Sequence, residues 1–257
     1  MTVESVRSDV GVVLAANAPS DYLRAGRQQR RDRLFYAGMS LAAVVTVFLG
    51  FARTYYLRSH YLATALPPLL HLHGIVFTSW ILFFATQTAL VAGRRIDLHR
   101  RLGLGGAALG GLLVVVGLTT ATLSARRNFA AGNAGALTFL AIPFGDMLVF
   151  AVLVTAGILY RRRAEMHKRL MLLATISILG AAISRWPLAI IAAAGPPAFF
   201  GITDLFIAAG VAYDLVSHRR VHPAYIWGGL LVVVSQPLRV AIAGTGPWLT
   251  FAGALVR

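Results

Sequence analysis

The sequence predicts an all-α polytopic membrane helical bundle of about seven transmembrane helices, and three observations predict it. The 257-residue chain is 58% hydrophobic and only 13% charged, with a mean hydropathy of +0.72, more apolar surface than a soluble globule buries around one core. Its apolar residues fall into seven stretches of roughly 20, the length that crosses about 30 Å of hydrocarbon. Its basic residues collect in alternate segments between those stretches, the pattern of charge retained on one side of a bilayer.

Taken in order, residues 1–34 read as a polar cytoplasmic N-terminal tail. Its one apolar stretch, Val10 to Ala16, is bounded by Asp9 and Asn17 and is too weak for a cleaved signal peptide. A single transmembrane domain follows over 35–257, with spans at about 35–53, 69–92, 102–124, 137–160, 170–194, 198–216 and 224–244. Gly246, Pro247 and Trp248 then open a short apolar segment that lies in the interface or extends the seventh helix. The tail and the loops near 94–101, 161–169 and 217–223 hold 17 basic residues, against five on the other side (Arg53, Arg58, Arg126, Arg127 and Arg257). That bias predicts an N-terminus inside and a C-terminus outside, in a multi-pass protein of the bacterial cytoplasmic (inner) membrane. Tyr55, Tyr56, Tyr160, Tyr225 and Trp227 fall near expected interfaces, where amphipathic rings are favoured.

Composition also excludes functions. The formal charge of +15 does not point to nucleic acid, because the arginines sit in short runs between apolar spans rather than on a water-facing domain with stacking aromatics. The single lysine, Lys168, lies in a loop, so a retinal Schiff base has no candidate. Absence of cysteine removes disulfides, iron–sulfur clusters, thiol catalysis and covalent haem attachment. No G-x-S-x-G, H-E-x-x-H or phosphate-binding G-x-x-x-x-G-K is present.

A repeat organises the middle of the chain. Arg94-Arg95-Ile96-Asp97-Leu98-His99-Arg100-Arg101-Leu102 returns 68 positions later as Arg162-Arg163-Ala164-Glu165-Met166-His167-Lys168-Arg169-Leu170. Each copy closes an even-numbered helix and opens an odd-numbered one, so helices two and three are duplicated in helices four and five, with helices one, six and seven around them. The third span carries Gly103, Gly105, Gly106, Gly110, Gly111 and Gly117, which read as a packing surface. Pro143, Pro187 and Pro237 fall within spans four, five and seven, where each frees a carbonyl and permits a kink.

Two groups of polar residues are costly enough in a bilayer to need a reason. In an antiparallel core, helices three and five lie diagonally opposite, which sets His99 and His167 facing each other near the cytoplasmic surface. That arrangement suits a bis-histidine b-type haem, with both histidines on the iron and Arg94, Arg95, Arg162 and Arg163 on its propionates. The competing readings are that the histidines simply occupy a basic interfacial loop, or that Asp97, His99, Glu165 and His167 hold a metal or an anionic lipid headgroup. The second group lies toward the outside. Asp146 is expected to pair with Arg185 and Asp204 with Arg239, lining with His73, Trp186 and Gln236 a cavity for a small polar solute or a quinone headgroup. Those charges otherwise serve as ion pairs fixing helix register. His73, Trp80 and Gln87 recur every seven residues and share one face, assigned to the interior, while Asp214, His218 and His222 read as interfacial.

At Leu98-His99-Arg100-Arg101-Leu102-Gly103 and His167-Lys168-Arg169-Leu170-Met171-Leu172-Leu173 the chain resembles bacterial seven-helix membrane proteins with repeated His-Arg/Lys-Arg-Leu helix starts. In plan it is distantly similar to b-type transmembrane cytochromes over spans two to five. The resemblance implies a membrane redox component with haem b and a quinone partner. The alternatives are a small-solute or ion transporter using the outward Asp/Arg residues, and a non-catalytic membrane scaffold.

Overall fold

The computed structural model describes the backbone of residues 3–62 and 65–257 and the side chains of 26–62 and 65–257. All regular structure among them is helical. In order come α1 (Val3–Phe51), a π-helical turn (Ala52–Tyr56), α2 (Arg58–Tyr61), α3 (Pro68–Ala92), α4 (Ile96–Ala130), α5 (Gly135–Phe139), α6 (Ala141–Leu159) and α7 (Ala164–Ser177). The chain continues through α8 (Gly180–Ile183), α9 (Ala189–Ala194), α10 (Pro196–His218), a second π-helical turn (Tyr225–Gly229), α11 (Leu230–Ala243) and α12 (Gly246–Val256).

Seven helical stretches are long and apolar enough to cross a membrane: Gly26–Tyr56, Pro68–Ala92, Ile96–Ala130, Gly135–Leu159, Ala164–Ile183, Pro196–His218 and Tyr225–Ala243. Their outer surfaces expose Leu104, Leu148, Leu159, Leu205 and Val216, a display that water disfavours and hydrocarbon does not. The protein is an integral, multi-pass membrane protein. Its first helix is continuous from Val3, so the stretch expected as a tail is helical and the first membrane-length segment begins at Gly26.

The fifth span is the axis of the bundle. Its apolar window is 72% buried, against 28% to 39% in the other six. Leu170, Leu172, Leu173, Ile176, Leu179 and Ile183 are buried along it, and so are Arg169, Thr175 and Ser177, so no face of this span is turned outward. It is therefore enclosed by α6, α1, α10 and the second π-turn, rather than sharing an outer ring equally with spans two to four. Trp80, Leu113 and Phe150 complete the core, and the Trp80 indole N–H donates to the Thr175 hydroxyl at 3.3 Å.

Two hairpins carry the repeated segments. Between α3 and α4 the turn is made by Gly93, Arg94 and Arg95. Arg94 takes a left-handed φ of 60°, and Arg95 donates its N–H to the Leu90 carbonyl at 2.8 Å. Between α6 and α7 the Arg163 N–H closes onto the Tyr160 carbonyl at 2.8 Å. Asp97 and Glu165 stand in the first turns of α4 and α7, complementing the positive end of each helix dipole. Within α4 only part of the glycine set packs. Gly106 meets Phe83, Gly110 meets Trp80 and Val154, and Gly117 meets Met147, whereas Gly103, Gly105 and Gly111 face open space.

The proline positions shape the spans differently. Pro143 leaves the Phe139 carbonyl without its helical donor, and the fourth span is divided there into α5 and α6. Pro237 is accommodated inside α11. Pro187 does more. The continuous fifth helix expected over 170–194 is not formed, because the Pro187 ring opposes the Ile183 carbonyl and α8 ends on that residue. Ser184–Leu188 is non-helical, α9 follows, and Gly195 (φ 59°, ψ −131°) turns the chain into Pro196 at the start of α10. At the far end, extended backbone at Thr245 separates α12 from α11. The last helix folds back on α4 and α5, with the Trp248 indole donating to the Leu137 carbonyl at 2.9 Å.

Candidate functional site

The two repeated histidines meet. His99 stands at the start of α4 and His167 at the start of α7, with ring centres 6.2 Å apart and ring planes at 77°. The His167 Nδ1 lies 2.8 Å from the Gly157 carbonyl. A carbonyl only accepts, so Nδ1 carries the proton and Nε2 of the neutral ring keeps a free lone pair. The His99 Nδ1 is buried and has no hydrogen-bond partner among the described residues. Arg94, Arg95, Arg162 and Arg163 all lie exposed at this end of the bundle. Arg95 approaches Asp97 only at 4.0 Å, and Arg163 covers the Tyr160 ring at 5.6 Å.

Beside this pair lies a charge network that the spacing of the sequence did not reveal. Arg169 and Asp214 are 1% and 0% exposed. The Arg169 Nε donates to Asp214 at 3.0 Å and Nη2 at 2.6 Å, a two-pronged, charge-assisted contact. The third nitrogen of Arg169 donates to Glu165 at 2.6 Å. Lys168 bridges Glu165 at 2.8 Å and Asp32 at 2.6 Å, and Asp32 also accepts from the Tyr213 hydroxyl at 2.6 Å and from Gln28 at 2.9 Å. The backbone N–H of His222 adds a donor to Asp214 at 3.1 Å. α1, α7, α10 and the loop after α10 are tied together by these contacts. Asp32, Glu165 and His218 bring three ligand atoms within 4.8 Å of one another. The ammonium group of Lys168 already bridges the two carboxylates, so their charge is compensated without a metal.

His222 has a separate part in this region. Its Nδ1 accepts the Ala224 N–H at 3.2 Å, a side-chain cap on the first turn of the seventh span. Burial first, and then the Arg169 guanidinium, hold its pKa below the ordinary 6.5, which keeps the capping nitrogen free of a proton.

At the opposite end of the bundle the expected ion pairs are exchanged. Asp146 pairs with Arg239 rather than with Arg185, and both residues are buried. Arg239 also donates to the Ser235 hydroxyl at 2.8 Å, and Gly145 leaves room for its side chain, since a Cβ there would occupy the same space. Asp204 accepts from Gln236 at 2.8 Å instead of pairing with Arg239. Arg185 has no carboxylate partner among the described residues. Arg185 falls after the end of α8, and its guanidinium lies over the Phe51 ring at 4.8 Å. The expected single cavity therefore divides into an Asp146–Arg239 and Asp204–Gln236 cluster and a separate group around Arg185 and Trp186. His73 stacks on Phe77 with ring centres 4.1 Å apart, and its buried Nδ1 has no partner among the described residues.

A trace of the missed network was present in sequence. Arg101 and Arg169 are the same position of the repeat, yet Arg101 is exposed and Arg169 is enclosed. The difference is the acid: Asp214 reaches Arg169 from α10, and Asp214 was legible as an acidic residue within the sixth span. Comparison with protein-family models, with curated proteins and with solved structures finds no match.

Proposed function

We propose that this protein is a membrane redox component that holds a b-type haem between His99 and His167 at its arginine-rich end, with a quinone as its electron partner. The observation that carries the reading is the histidine geometry. Two imidazoles on one metal place their nitrogens at about 2 Å each from it, hence ~4 Å apart, with ring centres further back. The 6.2 Å between the ring centres is in that range. The donor set also fits. His167 has its Nδ1 proton anchored on the Gly157 carbonyl, a bond that fixes the ring's tautomer and orientation, and the buried His99 Nδ1 has no partner among the described residues. When bound, the haem would supply one-electron chemistry. The chain's own contributions would be one imidazole nitrogen from each of His99 and His167 to hold the iron and the four exposed arginines available to propionates. The charge bias of the loops supports a cytoplasmic location for this end.

The other expectations gain less. Asp146 and Arg239 satisfy each other, which favours helix pairing over solute handling at that cluster. The reading is tested by spectroscopy of variants. His99→Ala and His167→Ala are each expected to abolish the low-spin haem spectrum while leaving the protein folded. Retention of that spectrum in either variant would reassign the ligands.

A further inference from the structure

The break in the fifth span holds a cation with no carboxylate partner among the described residues. Arg185 donates one amino group to the Ala181 carbonyl, and the Ser184 hydroxyl stands 3.5 Å from the same nitrogen. Its remaining N–H groups have no partner among the described residues. Arg185 is exposed, with its planar guanidinium over the Phe51 ring. An open surface concavity of about 410 Å³ adjoins it, lined by Ser184, Arg185, Trp186, Leu188 and Ile191. Two departures from regular helix lie here, the non-helical Ser184–Leu188 and the short α9, and the Phe51 ring beneath the guanidinium immediately precedes the first π-turn. π-Turns and interrupted spans recur where membrane proteins bind ligands, because they present side chains and backbone groups that a regular helix hides. His73 is a second polar group without a partner, and its imidazole is within electrostatic range of Arg185.

We infer that Arg185 is the anchor of a binding site for a phosphate-type oxyanion at the end of the bundle opposite His99 and His167. The fork of a guanidinium matches two oxygens of a phosphate, and no carboxylate among the described residues pairs with it. The position suits a headgroup. Arg185 lies just beyond the end of the membrane-length segment Ala164–Ile183, and Leu188 and Ile190 expose apolar side chains beside it for acyl chains. Trp186 is fixed at the same level by donating its indole N–H to the Thr46 carbonyl at 3.3 Å, as expected of an aromatic ring at an interface. The site is independent of haem at the other end of the molecule.

Native mass spectrometry of the full-length, delipidated protein in neutral detergent tests it with two probes, inorganic phosphate and phosphatidylglycerol. The native chain is expected to retain an adduct at a concentration at least ten-fold lower than Arg185→Gln does. Arg53→Gln, another arginine at this end, should match the native chain. Arg185→Lys keeps the charge without the fork and should fall between, which also covers the case that the glutamine variant does not fold. An Arg185-dependent adduct with phosphatidylglycerol alone identifies a lipid headgroup, and one with both probes identifies the phosphate group itself. Equal adduct formation by the native chain and the Arg185 variants with both probes would overturn the inference.

Discussion

Arg101 and Arg169 show how far a residue's fate depends on what another helix brings to it. Both occupy the same place in the repeated segment, but only Arg169 is met by a buried acid. Removing one partner of such a pair strands the other, typically at about 3–5 kcal/mol. Asp214→Asn should therefore lower the thermal midpoint in detergent strongly. Arg101→Ala, at an exposed position, should stay within roughly 0.5 kcal/mol of the native chain. The charged clusters were only partly legible for the same reason. Sequence shows that Asp146, Arg185, Asp204 and Arg239 need partners, but the choice among partners depends on helix rotation. Here Arg239 meets Asp146, while Arg185 falls after the end of α8.

His222 gives a residue-scale pH dependence with a definite sign. Its folded pKa lies below 6.5 through burial and the nearby Arg169 charge, so the unfolded chain takes up the proton first as pH falls. The stabilisation from the neutral cap is fully present above about pH 6.5 and is lost as pH drops through the folded pKa. Hydrogen exchange at Ala224–Trp227, corrected for intrinsic rates, should show less protection at pH 5 than at pH 7.5. His222→Asn, which keeps an acceptor that does not titrate, should flatten that difference. An unchanged pH response in the variant would remove His222 from the explanation.

Among the elements, the first span and the central one approach backbone to backbone at Gly50 and Ala182. A Cβ at Gly50 would lie inside the contact radius of the Ala182 carbonyl oxygen, and a backbone group cannot swing aside as a side chain can. Gly50→Ala should destabilise the protein by about 1–3 kcal/mol, the usual range for overpacking. Gly26→Ala, at a site with open space, should be tolerated. Gly210 has a similar part at the arginine-rich end, since a Cβ there would collide with the Tyr225 ring. These close approaches could not be read from composition. Glycines facing lipid, such as Gly103 and Gly111, look the same in sequence as Gly106 and Gly110, which pack against the core.

For the whole molecule, the seven spans were legible because length and hydropathy are properties of a segment by itself. The central place of the fifth span was not legible from hydropathy, which is lowest there among the seven spans, and the long run to residue 194 concealed its end. Pro187 and Gly195 marked that end. Orientation is open to a direct measurement because the chain contains no cysteine and gives no labelling background. Single cysteines replacing Asn133 and Arg220 should react oppositely with a membrane-impermeant maleimide applied to intact cells. The charge bias predicts that position 133 is labelled and position 220 is protected. The reverse pattern would invert the topology and place the histidine pair outside.

The histidine pair joins all three scales: two residues, the starts of two helices, and one end of the bundle. The absorption spectrum of the full-length protein purified from haem-replete cells, oxidised and then reduced with dithionite, tests it most directly. A Soret band with low-spin reduced features and one haem per chain is the predicted result. A protein that is folded and shows no Soret band would contradict haem binding at His99 and His167.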